Sequence, residues 1–295
     1  ETLVLEPIPT PNPDLLEETT ELDPELEIMT GTESELFGLV GTQLLGSSSN
    51  DISWGITKGN DGSIYITGET LGDLDGQINS GDYDAFISKF DSEGNKDWTK
   101  LLGSSSHDYA YEIATGHDGS IYITGGTAGD LNDQANNGGF DAFISKFDSE
   151  GNKDWTTLLG SSSDDYAYGI ATGNDGSIYI TGDTNGNLDG QTNNGGFDAF
   201  VSKFDSDGNK EWTKLLGTLK DENSFGAITI GDAESIYISG ETGGDLDGRL
   251  NSGIIDAFIS KYDSDGNKEW TELLGSSSYD YAYGIVTGND GSIYI

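Results

Sequence analysis

Short apolar runs, bounded by glycine, asparagine, aspartate and serine, recur along the chain without any helical period, and the whole pattern returns about every 57 residues. Each unit holds four such runs, rich in Ile, Tyr, Phe, Trp and Thr, a composition suited to a pleated, half-buried surface. In the second unit they are 108–116 (DYAYEIATG), 120–125 (SIYITG), 141–148 (DAFISKFD) and 153–160 (KDWTTLLG). His117-Asp118-Gly119 joins the first two, and Asn-Asp-Gly takes its place in units one, three and five, which predicts tight hairpins. The third and fourth runs are joined by a turn with Gly94, Gly151, Gly208 or Gly266 at a position that calls for positive φ.

The register is strict. Trp98, Trp155, Trp212 and Trp270 are separated by 57, 57 and 58 positions, and the Ser-Ile-Tyr-Ile and Asp-Ala-Phe runs keep the same spacing. Four antiparallel strands per unit, repeated without a helix, predict an all-β fold: a β-propeller of four-stranded blades. A β-solenoid is the rival, but its rungs are usually much shorter than this repeat. Strands two and three should lie sandwiched between blades, with Ile64, Ile66, Phe86 and Ile87 inside. Residues 37–46 match a fourth strand alone; four complete units and two strands of a fifth follow, about 4.5 blades in all. The chain opens on Glu1 and stops at Ile295 within a repeated motif, so the expectation is a fragment of a longer protein, with the fifth unit short of strands and able to pair at its edge.

Composition sharpens this picture in two places. Residues 1–36 hold all five prolines and eleven acidic residues with no lysine or arginine, which predicts an acidic, Pro-rich, disordered linker ahead of propeller repeats over 37–295. Over the full 295 residues, 53 acidic side chains face 13 basic ones, a formal net charge of −40, which excludes nucleic acid as a partner and favours cations or basic proteins. The apolar runs are too short for membrane insertion. Cysteine is absent, so neither disulfides nor thiolate chemistry enter.

The run DAFISKFDS-D/E-GNK-x-W, followed by LLG, DYAYGI and DGSIYITG, resembles the SBBP-type β-propeller repeat family over about residues 37–295. That resemblance implies a bacterial secreted or surface protein, often one module of a very large chain, and it brings no catalytic residues. The units are lengthened here by an insert between strands two and three.

Few residues invite a chemical reading. The spacing of Asp91, Gly94 and Trp98 is similar to the tryptophan-docking repeat of quinone-dependent propellers, but recurrence in every complete unit assigns the indoles to packing between blades. His107 and His117 sit where other units have Asp164, Asn174, Tyr279 and Asn289, and read as drift at loop positions. The Gly-Ser-Ser-Ser runs read as turns. Unit four departs from the pattern at 217–220 (GTLK), so an asymmetric binding spot is expected, if anywhere, beside Lys220.

The insert carries the one candidate metal chemistry. In unit one, side-chain oxygens alternate at Asp73, Asp75 and Asn79 before Asp84 closes the stretch. Asp130, Asn132 and Asp141, then Asn187, Asp189 and Asp198, then Asp245, Asp247 and Asp256 repeat the pattern. Alternate oxygens on a loop suit Ca²⁺, although the glycine position and the final Asp depart from the EF-hand signature. Asx-turns, in which these carboxylates bond the backbone, are the alternative. The functional expectation is a non-enzymatic extracellular binding or display module with a protein or glycan ligand, accompanied by other domains of a larger chain. A propeller hydrolase or lyase and a structural spacer are the alternatives.

Overall fold

The structure, a computed structural model, describes residues 43–295. The linker expected over 1–36 lies outside the described residues, as does most of the lone fourth strand expected at 37–46; its described part, 43–46, is not a strand.

Blade one comprises β1 (Asp51–Lys58), β2 (Ile64–Thr70), β3 (Asp84–Phe90) and β4 (Lys96–Leu102). Blade two comprises β5 (Asp108–Thr115), β6 (Ile121–Thr127), β7 (Asp141–Phe147) and β8 (Lys153–Leu159). Blade three comprises β9 (Asp165–Thr172), β10 (Ile178–Thr184), β11 (Asp198–Phe204) and β12 (Lys210–Leu216). In each the four strands lie in sequence order, all antiparallel. The strand positions match those predicted for unit two to within two residues at each end.

Blade four differs. Its first strand is split into β13 (Glu222–Asn223) and β14 (Ile228–Ile230), both pairing with β15 (Ile236–Thr242), followed by β16 (Asp256–Tyr262) and β17 (Lys268–Leu274). No helix was expected; a single 3₁₀ turn at Asp232–Glu234, with Ala233 at φ 54°, replaces the Asn-Asp-Gly hairpin turn here. In the fifth unit, β18 (Val286–Thr287) and β19 (Ile293–Tyr294) form a two-stranded sheet. The sheets do not close into a ring among the described residues.

The core is the stack of sheets. Phe143, Ile121, Ile123 and Phe147 pack with Ile87 and Leu102 of the preceding blade, and the same cluster recurs at each following junction. Ile64 and Ile66 of blade one stay partly exposed, whereas their counterparts Ile121 and Ile123 are fully buried, because a second blade covers them. The tryptophans lock the junctions. Trp155 lies against Gly208 of the next blade, whose φ is +82°, and its Nε1 donates to the Ser206 carbonyl at 3.3 Å. Trp98 and Trp212 do the same with Ser149 and Ser264.

Candidate functional site

The insert loops are built around a tight turn. Leu74 and Gln77 exchange two backbone hydrogen bonds across Asp75-Gly76, and both turn residues have positive φ (51° and 77°), the geometry that an Asp-Gly pair adopts most readily. Leu74 is fully buried, as are Leu131 and Leu188, so the insert is pinned to the blade by one apolar side chain. Asp73 accepts the Asn79 N–H at 3.0 Å, while the Asn79 side chain donates to the Thr70 and Asp82 carbonyls. Asp75 turns the other way, to Lys96 and Thr99. Asp84 is buried at the base, one oxygen accepting the Ser80 N–H at 2.7 Å.

The later inserts repeat this arrangement. Asp130, Asn187 and Asp245 accept the N–H groups of Asn136, Asn193 and Asn251. Asn132 donates to Thr156, and Asp189 and Asp247 pair with Lys210 and Lys268. Asp73, Asp84 and their counterparts bond the backbone, as in the Asx-turn alternative, whereas Asp75, Asn132, Asp189 and Asp247 bond side chains, so the oxygens that the sequence places in alternation are brought to different partners. No group of three or more His, Asp or Glu residues placed to hold a metal ion occurs among the described residues.

A second feature recurs on the first strand of each blade. β1 pairs with β2 through a bulge in which Trp54 is the extra residue, since Ser53 faces Gly68 and Gly55 faces Thr67. Tyr111 and Tyr168 occupy the same bulge in β5 and β9. A bulge bends its strand and re-aims the side chain it carries. The facing glycine is required: a Cβ on Gly68, Gly125 or Gly182 would land on the carbonyl oxygen of Ile52, Tyr109 or Tyr166. First strands of successive blades pack side by side, β1 on β5 and β5 on β9, so the bulged rings meet. Trp54 and Tyr111 lie 6.1 Å apart, Tyr111 and Tyr168 5.0 Å.

Around them a connected patch forms. Tyr109 contacts Tyr111, Tyr83, His107 and Phe140; Phe140 contacts Tyr166, which stacks on Tyr168. His107, expected to be drift at a loop position, therefore belongs to the aromatic patch. Phe225 and Tyr283 continue the bulge series at 5.2 Å, but no ring pair joins Tyr168 to Phe225 among the described residues. The break lies where β13 and β14 separate and Phe225 takes φ 45°. Unit four is thus the asymmetric one, as its sequence suggested, but the irregularity spans 224–227 and not Lys220 alone.

Carboxylates border the patch. Glu69 is buried and accepts the Trp54 indole N–H. Burial raises its carboxyl above the usual range despite that bond. Asp183, at the equivalent position of blade three, accepts the Ser224 N–H at 2.7 Å, and burial pushes it up to about 8, with Glu241 and Asp221 adding to the effect. Glu241 occupies the same position in blade four; burial raises it too, and its Oε2 is buried without a partner. The tyrosine hydroxyls respond in the same direction: burial, then the charge of Glu69, raises Tyr111, and burial pushes Tyr166 up to about 12. The sequence pattern alone gives Tyr109 and Tyr111 as strand formers and assigns no role to Trp54, Glu69, Asp183 or Glu241. The signal was present, because positions 54, 111, 168, 225 and 283 are all aromatic at spacings of 57, 57, 57 and 58.

Comparison with known proteins bears on this architecture. The chain is 28% identical over 229 residues to the regulatory protein FlaEY of Caulobacter vibrioides, and it spans 24% of that protein's length while 70% of the chain is matched. Among solved structures, a catalytically inactive virginiamycin B lyase from Staphylococcus aureus with quinupristin superposes with a TM-score of 0.49 at 18% identity, over 85% of this chain and 65% of that one. A Bacteroides caccae protein of unknown function gives 0.38 at 8% identity, over 80% of this chain and 73% of that one. Residues 154–189, the last strand of blade two with the first two strands of blade three and the start of its insert, match the model of the SBBP beta-propeller repeat. The other units place the same residues in the same register, so the similarity to that repeat recurs along the chain.

Proposed function

We propose that this chain is a non-enzymatic binding or display module of a larger bacterial secreted or surface protein, and that its ligand meets the first strands of the blades. The observation that carries the reading is the patch on the bulges: Trp54 is 55% exposed, and Tyr109, Tyr111, Tyr166 and Tyr168 are each partly exposed. Rigid aromatic side chains supply contact area at little entropic cost, and they are held here on strands instead of mobile loops. The match to about a quarter of a long regulatory protein supports a module within a longer chain. No helix among the described residues is long and apolar enough to cross a membrane.

The test is a glycan array and a panel of purified acidic and basic proteins, each probed with the native chain and with a Tyr111→Leu, Tyr168→Leu double variant of unchanged melting temperature. Binding that the double variant loses is the expected result. A native chain that binds nothing in either panel leaves the spacer reading in its place. Turnover of any glycan on the array would instead favour an enzyme.

A further inference from the structure

The chain shows within its own fold what it does with an electron-rich ring. In every complete blade a third-strand lysine sits over a second-strand tyrosine: Lys89 over Tyr65, Lys146 over Tyr122, Lys203 over Tyr179 and Lys261 over Tyr237, each 5.7–5.8 Å from the ring centre. The rings of the first-strand patch have no such partner: among the described residues no lysine or arginine lies over Trp54, Tyr109, Tyr111, Tyr166 or Tyr168. Among the described residues no salt bridge reaches Glu69 or Asp183, the acids at its two ends. Aromatic faces bordered by carboxylates, with no internal cation, form a surface complementary to an organic ammonium group.

We infer that the first-strand patch of blades one to three binds a lysine-rich peptide segment of a partner protein, its ammonium groups passing over the rings of Trp54, Tyr111 and Tyr168 toward Glu69 and Asp183. This rests on the reading of the chain as a binding module and names the chemistry of its ligand. Three observations support the choice. The formal net charge of −40 draws basic partners and repels acidic ones. Burial disfavours the ionised forms of Glu69 and Asp183, and a cation brought to the patch shifts both back toward ionisation. The bulged rings step from blade to blade at 5.0–6.1 Å, close to the roughly 7 Å between alternate side chains of an extended peptide, so successive lysines on one face meet successive blades.

The probe is an oligolysine peptide, titrated by calorimetry into the chain in 0.15 M salt, with an acetyl-lysine peptide of equal length, spermine and a neutral maltooligosaccharide in parallel. The expected result is binding of the oligolysine alone, weakened about fivefold by Tyr111→Leu and again by Tyr168→Leu, in line with the loss of one cation–π contact each. Glu69→Gln should weaken it by a similar factor. The controls Glu93→Gln and Glu150→Gln remove equal charge from exposed hairpin turns between third and fourth strands, and should change nothing. Equal weakening by these controls would reduce the effect to general charge attraction and overturn the inference. Binding of spermine as tight as that of the peptide overturns the assignment to a peptide. If the maltooligosaccharide binds and the oligolysine does not, the inference fails while the binding-module reading stands; if no probe binds and both panels above are silent, both fail.

Discussion

The buried aspartates that open the third strands of blades one and two make a pH experiment decisive. Asp84, Asp141, Asp198 and Asp256 are fully buried, each with Oδ2 accepting one backbone N–H, from Ser80, Asn137, Asn194 and Ser252 at 2.7–3.0 Å. Their other oxygens, Oδ1, are buried without a partner. Burial, with the charge of Asp108 or Asp165 in the next blade, pushes Asp84 and Asp141 up to about 6 from 3.8. Between those values the folded state keeps a proton that the unfolded chain has released, so stability is fully present at the acid end and declines as pH rises through about 6. Each raised unit corresponds to about 1.4 kcal/mol, so the loss from below pH 3.8 to above pH 6 is at most about 3 kcal/mol per aspartate, roughly half of it above pH 5.

The assay is the urea midpoint from about pH 5 to pH 7, above the range where protonation of 53 acidic side chains removes the charge that keeps the chain soluble. The midpoint should fall across this window. Asp84→Asn with Asp141→Asn keeps an oxygen for each N–H and removes the titration, so the double variant should show a shallower slope and exceed the native chain at pH 7. A slope equal to the native one would refute the argument, and would place the pH dependence on the repulsion of the surface carboxylates instead.

Gly125→Ala sets a methyl on the Tyr109 carbonyl and should cost more than about 3 kcal/mol, whereas Gly119→Ala, at φ +84° in open space, should cost only about 1–2 kcal/mol; equal thermal melts for the two would undo the account of the bulge. Trp155→Ala empties the junction of blades two and three and should cost about 3–5 kcal/mol, read as a fall in the urea midpoint, and a loss below 1 kcal/mol would show that the indole does not join the blades. Because the insert oxygens already bond within the fold, millimolar calcium against chelator should leave the melting temperature unchanged in high salt. A rise abolished by Asp73→Asn and Asp75→Asn would return these loops to calcium.

What was legible in the sequence is what the period imposes. Hairpin turns, strand limits and the tryptophan junctions depend on local residue types repeated in register, and Asp118-Gly119 or Trp155 fixes its own surroundings wherever it occurs. The insert was harder, because alternation of oxygen side chains along a loop says nothing of direction. A turn with positive φ at both Asp75 and Gly76 rotates Asp75 toward Lys96 while Asp73 stays on its own loop, so neighbours in the pattern end on different partners. The first-strand patch was harder still. Strict alternation would set Tyr109 and Tyr111 on one face as ordinary strand residues; the bulge that singles out Tyr111 shows in the sequence only through Gly125 on the opposite strand.

That glycine links fold and function. Gly68, Gly125, Gly182 and Gly240 each meet a first-strand carbonyl too closely for any side chain. A strand pair can come so near only where the partner strand has an extra residue to push outward, and in blades one to three that residue is Trp54, Tyr111 or Tyr168. In blade four the partner strand yields further and breaks, with Phe225 and Gly226 both at positive φ and the Asp183 carboxylate closing on the Ser224 N–H exposed by the break. A residue as bulky as Phe225 rarely adopts that conformation, and strain of this kind gathers at binding sites. The repeat builds a row of presented rings, and its one irregular member ends the row beside two buried acids, Asp183 and Glu241. On the proposed reading, a peptide laid along the row meets Glu69 at blade one and the Asp183–Glu241 pair at blade four, so its two directions are not equivalent.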